Sequence, residues 1–360
     1  MTGPTTNETP TSTTGWSGWA RMWPRLVAGL FFALLVLTAL TLFADVRQLG
    51  DALSGFRWPL LVPIILLTLA NYGLRFVKWQ IYLDRIGVHG LSTGHSLLTF
   101  LSAFSMSITP GKVGEVIKAV YVRRLTGTPL TRVAAVITAE RLTDGLAMLG
   151  LAGLGIAQFS YGRWVLAAAA LAGIAAIVIL RRPALLAGVL AFAGRLPVIG
   201  PIATRMTGHA DNFLDASNTL YAPRLVVGSV LLGIVSWFAE CVALFLVLIG
   251  LGLEPSWHLL LVATFVLSVS SVLGALSLLP GGLGVAEASI AGLLILLITT
   301  PGFDRGDAAA ATLIIRFATL WFAVVLGAGA VVALQRILRR SPSPSSVPDT
   351  ASPHERTARP

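Results

Sequence analysis

From Leu26 to Ala44 the chain runs nineteen residues without an ionisable side chain, and comparable apolar segments recur near 58–82, 92–109, 113–122, 130–157, 164–180, 225–250, 258–279, 283–299 and 308–335. A helix that crosses the hydrocarbon core of a bilayer needs about 20 such residues. With 55% hydrophobic and only 12% charged residues in a chain of 360, and a mean hydropathy of +0.82, the segments cannot all be hidden in one soluble core. The sequence therefore specifies an all-α polytopic membrane protein. Residues 1–20 are polar and rich in Thr, Gly and Pro, and 339–360 are rich in Pro and Ser, so both ends read as disordered tails around a membrane domain over 21–338. The run 26–44 is long for a signal-peptide core and is read as an uncleaved anchor.

A net charge of +10 invites a nucleic-acid reading, but the basic residues sit in short clusters beside apolar runs rather than along one polar face. No nucleic-acid partner is expected. Cys241 is the single cysteine, and the five histidines form no pair at ligand spacing, so no disulfide, metal or cofactor is expected. With the N-terminus inside, the inner connections and the C-terminal flank hold fourteen arginines (21, 25, 85, 123, 124, 132, 181, 182, 195, 205, 224, 336, 339 and 340). The outer connections hold four, Arg47, Arg57, Arg163 and Arg305. This N-in, C-in arrangement requires 92–122 to enter and leave on the inner side and 258–299 to enter and leave on the outer side. Segment 113–122 is too short to span, which favours a re-entrant hairpin; 258–279 and 283–299 suit either a hairpin or two full spans. Between Arg181 and Arg224, Ile202, Met206, Ala210, Phe213, Leu214 and Tyr221 recur at helical spacing, as in an amphipathic helix on the inner leaflet or an ordinary connecting helix.

Two passages match across 170 residues. "TPGKVGE" carries Pro110, Gly111, Gly114 and Glu115, and "LPGGLGVAE" carries Pro280, Gly281, Gly284 and Glu287. Charged residues keep step around them: Arg75 and Glu240 lie before the two prolines, Arg141 and Arg316 after. Each half, about 25–157 and 163–336, reads as anchor helix, charged helix, broken hairpin and charged helix, in opposite orientations. Interrupted helices at matched positions of inverted repeats place a site at the repeat interface, with the Pro and Gly residues as hinges.

Eleven ionisable residues interrupt the apolar segments: Arg75, Lys78, Lys112, Lys118, Arg141 and Arg316 against Glu115, Glu140, Asp144, Glu240 and Glu287. Each costs roughly 2.5–3.5 kcal/mol at mid-membrane on insertion scales, so they must pair, line water or reach an interface. Arg75, Lys78 and Lys118 lie near the inner helix ends, where snorkelling competes with burial. Arg141 has Glu115 or Glu287 as salt-bridge candidates, and Glu240 has Arg316. Lys112 follows the first break, where a new helix exposes unpaired amides that favour an anion. Glu115 is equally placed to cap that terminus. Ser102, Ser105 and Thr109 before the first break, and Ser268, Ser271 and Ser277 before the second, suit a wettable cavity or close helix packing.

"RFVKWQIYL", "SITPGKVGEVIKAVYVRR", "AERLTDGLAM", "LPGGLGVAEASIAGLL" and Arg316 together resemble the lysylphosphatidylglycerol synthase transmembrane, flippase-like family over about residues 25–338. The resemblance implies a bacterial inner-membrane protein whose inverted halves move a lipid between leaflets. In the best-known members this domain precedes a soluble aminoacyl-transferase domain; a chain of 360 residues is expected to be a stand-alone form, without that domain's chemistry or its lysyl-lipid substrate. The expected function is thus lipid translocation without catalysis. Arg75, Lys78, Lys112, Glu115, Glu140, Arg141, Asp144, Glu240, Glu287 and Arg316 are the candidate substrate-binding residues, and a phosphate-bearing lipid headgroup is the expected ligand. The candidate protein partners are a lipid-biosynthesis enzyme and a second copy of the chain. A membrane-embedded transferase and a non-transporting partner of a lipid enzyme are the alternatives. The transferase has only Asp45 and Asp51, in a short outer connection, as acidic candidates.

Overall fold

The structure is a computed structural model that describes residues 45–107, 113–156, 163–182, 185, 210–277 and 279–340. Every regular element among them is helical. The anchor 26–44, both tails, the first break with Thr109, Pro110, Gly111 and Lys112, and Ile202 and Met206 lie outside the described residues.

In chain order the helices are α1 (Val46–Gly55), α2 (Leu61–Arg85), α3 (Thr93–Ser102), α4 (Val113–Thr126), α5 (Leu130–Ile156), α6 (Arg163–Arg181), α7 (Ala210–Leu220), α8 (Pro223–Gly250), α9 (Trp257–Leu276), α10 (Val285–Leu297), α11 (Arg305–Arg316) and α12 (Phe322–Arg340). Local chemistry sets their starts. Ser92 and Ser256 accept the first free amides of α3 and α9, from His95 at 3.4 Å and Leu259 at 3.1 Å. Pro223 opens α8 at a position whose amide would have no partner. Asp304 accepts from Gly306 and Asp307 at the start of α11. A five-residue π turn, Phe317–Trp321, joins α11 to α12.

Four stretches are long and apolar enough to cross a membrane by length and composition: Trp58–Arg85, Pro223–Gly250, Trp257–Leu276 and Arg305–Ile337. Their outward faces carry exposed apolar side chains, such as Val227, Leu231 and Val235 at four-residue spacing on α8, which suits contact with lipid. The ten residues of α3 reach only about 15 Å and the fourteen of α4 about 21 Å, well short of a core about 30 Å thick. In the second pair, α9 is long enough to cross and the thirteen-residue α10 is not.

The bundle has two apolar cores. One joins α2, α8, α9, α10 and α11 through residues such as Ile64, Leu244, Leu248, Val262, Leu294 and Ile315. The other joins the opposite half of α2 to α3, α4, α5 and α7 through Trp79, Tyr82, Phe100, Val122, Val133 and Leu220. Each core closes one end. At the first end Arg57 N–H donates to the Gly250 carbonyl at 3.0 Å, and Gly306 lies so close to Gln48 that a Cβ would meet its carbonyl at 2.7 Å. The connections around Gln48, Arg57, Gly250 and Gly306, expected outside, therefore gather there, and those at Ile86, Val122–Val133 and Leu220–Tyr221 gather at the other end. Helix α7 packs on α5 with Ala216, Ser217 and Leu220 buried and Asn212 and Asn218 exposed, so 210–220 forms a docked connecting helix.

Candidate functional site

Between the cores lies a cavity of about 580 Å³. Its wall includes the side chains of Arg75, Glu115, Lys118, Arg141, Asp144, Glu240 and Arg316. Residues that are far apart in sequence meet because one helix from each half, α2 and α8, crosses through the middle of the bundle, and α5 and α11 face them.

The ion pairs follow a common pattern in which a charge on the wall is backed by an opposite charge behind it. Asp144 on α5 is backed by Lys78, which donates to it and is 1% exposed. Lys118 on α4 is backed by Glu140, also 1% exposed, at 2.9 Å. Arg316 on α11 is backed by Glu287 at 2.6 Å. Lys78, Glu140 and Glu287 are thus held behind the wall, and their contact with a ligand would be indirect. Around the first set, Arg75 reaches Asp144 at 3.7 Å, and Arg141 reaches Asp144 at 3.6 Å and Glu115 at 3.3 Å. Lys118 also lies 3.8 Å from Glu115.

These contacts decide several alternatives. Arg75 and Lys78 do not snorkel; both are buried, because Asp144 supplies an intramembrane counter-charge that makes the journey to the headgroups unnecessary. Lys118 is likewise buried, with its ammonium 4.8 Å from the ring of Trp79 and 4.7 Å from that of Phe100. Arg141 pairs with Glu115 rather than Glu287. The expected Glu240–Arg316 pair does not form: Arg316 turns to Glu287, whose helix begins next to it. Asp45 caps α1 by accepting from Arg47 at 3.2 Å, which accounts for its charge locally.

The second break is built from its glycines. Gly281, Gly282 and Gly284 have φ of 61°, 67° and 84°, in the left-handed region that a side chain makes costly. A Cβ on Gly282 would lie 2.9 Å from the Cα of Gly274, so this glycine, absent from the matched pattern, is also required by packing. Glu287 accepts from the Gly284 amide at 2.6 Å, and Arg316 donates to the Gly281 carbonyl at 3.0 Å. One ion pair therefore clasps both sides of the break. At the cavity wall, a Cβ on Gly281 would be 3.1 Å from the carbonyl of Ser107, the last described residue before the first break. Gly114 lies in α4, one turn before Lys118.

Of the hydroxyl stripes, Ser102, Ser105 and Ser277 donate back to carbonyls of their own turns at 2.7–2.8 Å, and Ser271 lines the cavity. Tyr72 and Trp237 were not anticipated. Tyr72 donates to the Thr319 carbonyl at 2.6 Å, and Trp237 presents its ring to the Arg75 guanidinium at 5.1 Å. A signal was available: each aromatic precedes the charged residue of its helix by three positions, Tyr72 before Arg75 and Trp237 before Glu240, which puts both on one helical face.

Helices that cross a bilayer, lipid-facing apolar surfaces and an ion-lined cavity between two cores define a multi-pass membrane protein with an intramembrane polar site. The chain belongs to the family of the lysylphosphatidylglycerol synthase TM region, whose family model matches residues 26–327. A UPF0104 membrane protein of Methanothermobacter thermautotrophicus is 36% identical over 98 residues, 27% of either chain. Another match to a protein of that name and organism is 22% identical over 325 residues, 84% of this chain and 93% of the relative. Glycosyltransferase AglD of Haloferax volcanii is 24% identical over 298 residues, 73% of this chain. The chain thus spans about a quarter of the first of these relatives and about half, 47%, of AglD.

Proposed function

We propose that this protein moves a phosphate-bearing lipid between leaflets, the headgroup passing through the cavity while the acyl chains stay in the bilayer. The observation that carries the proposal is a cavity, enclosed by membrane helices, whose wall presents Arg75, Lys118, Arg141 and Arg316 against three carboxylates. An inert scaffold has no use for so many intramembrane ions, each costly to insert. Guanidinium groups match phosphate by forked donation, and three of the four cations are arginines. In this reading the halves are inverted repeats, N-in and C-in, in the plasma membrane. The two Pro-Gly breaks are hinges, and Lys112 adds a cation at the first. The bacterial location follows from the family resemblance, whereas the relatives above are archaeal.

The test is translocation of fluorescent phosphatidylglycerol and polyprenyl phosphate in proteoliposomes. Wild type is expected to move at least one of them, and Arg75→Gln, monodisperse in detergent, is expected to be about tenfold slower or worse, a loss of about 1.4 kcal/mol in barrier terms. Equal rates for wild type, variant and empty vesicles across both probes would sink the proposal. A second reading, a membrane partner of a transferase, draws on the likeness to a protein named as a glycosyltransferase; co-purification with transferase activity and no translocation would favour it.

A further inference from the structure

Ten of the ionisable residues in the membrane segments are among the described residues, and nine of them have an opposite charge within 4 Å. Glu240 has none among the described residues. It is 6% exposed, lies at the middle of α8, and lines the cavity. Its electrostatic neighbours are Arg75 on α2 and Arg316 on α11, with Asp144 on α5 opposing them. Tyr72 on α2 and Cys241 on α8 also feel its charge. Helix α9, packed beside it, has His258 in its first turn as its one titratable side chain.

Both arginines have donors to spare. Arg75 makes no hydrogen bond to a described side chain or carbonyl; it is steadied by one long ion pair to Asp144 and by the rings of Trp237 and Phe104. Arg316 uses Nε for Glu287 and one terminal nitrogen for Gly281, and its other terminal nitrogen makes no hydrogen bond to a described residue. A guanidinium carries five N–H groups, so two half-used forks line one cavity from opposite halves of the chain, together with the Glu240 carboxylate.

This arrangement is suited to an exchange. The charge of a Glu240 carboxylate acts on both Arg75 and Arg316. A phosphodiester between the two forks brings a second negative charge into the same low-dielectric space, where like charges disfavour one another strongly. We propose that Glu240 is a proton site coupled to the anion: it takes up one proton as a phosphodiester binds between Arg75 and Arg316, and returns it when the anion leaves. The proton adds to a Glu240 carboxylate oxygen from water in the cavity, and no other bond changes. A monoanionic headgroup then moves together with one proton, without net charge. This inference rests on the transport reading for its biological role, but binding and proton uptake are measured without transport.

The experiment is calorimetric titration of the full chain in detergent, in buffers of different ionisation enthalpy, which counts protons taken up on binding. Dioctanoyl phosphatidylglycerol is the lipid probe and glycerophosphoglycerol the water-soluble one. Wild type is expected to take up close to one proton per lipid where Glu240 starts ionised, with affinity falling about tenfold per pH unit there by linkage. Glu240→Gln is expected to bind with no proton uptake and a flat pH profile, and Glu240→Asp to restore uptake. Uptake with both probes assigns the site to the phosphodiester, and uptake with the lipid probe alone assigns it to the phosphodiester on a lipid; both support the coupling. Binding with equal proton counts in wild type and Glu240→Gln overturns the coupling. So does a zero count in wild type, which decides the matter even if the variants fail to fold, and so does an absence of binding from pH 5 to 8. Translocation with no Glu240-dependent proton uptake would leave the transport reading standing and remove this one; proton-linked binding without translocation would do the reverse.

Discussion

At the scale of single residues, what distinguishes this protein is how its intramembrane charges are backed. Lys118 and Glu140 are both nearly solvent-free and 2.9 Å apart. Breaking such a pair from one side leaves a buried charge without its partner, at a cost of about 3–5 kcal/mol, whereas replacing both partners by apolar groups of similar size is often close to neutral. Glu140→Gln is therefore expected to lower thermal stability in detergent strongly, and Lys118→Met/Glu140→Leu to lower it less than either single change. A double variant as unstable as the sum of the singles would mean the pair is not a unit. Because Lys118 stands on the wall and Glu140 behind it, the double variant should still lose transport even where it regains stability. The charged residues themselves were legible from their isolation in apolar runs, whereas for Arg141 the sequence left Glu115 and Glu287 both open and the structure selects Glu115. The partners of Arg316 and Arg75 were not, because an arginine's long side chain reaches several neighbours and only the backbone path at the second break brings Glu287 to Arg316.

At the scale of elements, glycines set how closely broken and continuous helices approach. A Cβ on Gly327 of α12 would lie 2.2 Å from the Ser105 amide nitrogen and 2.9 Å from the Leu101 carbonyl oxygen, so α12 rests directly on the backbone at the end of the first hairpin's leading helix. Backbone cannot yield as a side-chain tip does. Gly327→Ala should therefore destabilise by about 1–3 kcal/mol or more, as overpacking does. Gly329, two residues on with nothing within 4 Å of its Cβ position, is the control. There alanine should be neutral or slightly stabilising, by up to about 1 kcal/mol from helix propensity. Thermal melts of the two variants in the same detergent make the comparison; equal losses would show that the close approach does not matter. Hydropathy alone placed the segments, since α2, α5, α8, α9 and α12 fall within the apolar runs apart from a few terminal residues. It could not show that α4 extends through Arg123 and Arg124 to Thr126, because a helix leaving the membrane keeps its hydrogen bonds after its apolar face ends. Gly282 escaped notice for another reason: its requirement is set by Gly274 on a different helix, not by the spacing within the break.

At the scale of the whole molecule, the two ends of the bundle are chemically unequal, and the difference bears on orientation. Connections around Asp51, Gly250 and Gly306 share one end, and those around Thr128, Arg182 and Tyr221 share the other. The second end carries most of the arginines found in connections, so the positive-inside tendency predicts a cytoplasmic face there, the orientation that the proposed function assumes. The chain is well suited to a direct test because its single cysteine, Cys241, is buried in the first core and presents almost no thiol to reagents. Ser54→Cys on the first end and Thr128→Cys on the second, each in a Cys241→Ser background, should then react with a membrane-impermeant maleimide in opposite ways. Intact cells should label Ser54→Cys and spare Thr128→Cys, and permeabilised cells should label both. The same pair reports on inversion. With a cysteine also placed at Gly302, near the end of the second hairpin, the N-in, C-in scheme requires 54 and 302 to label together and 128 apart from them. Labelling of 54 with 128, or of 302 with 128, would break the inverted arrangement on which the proposed function rests.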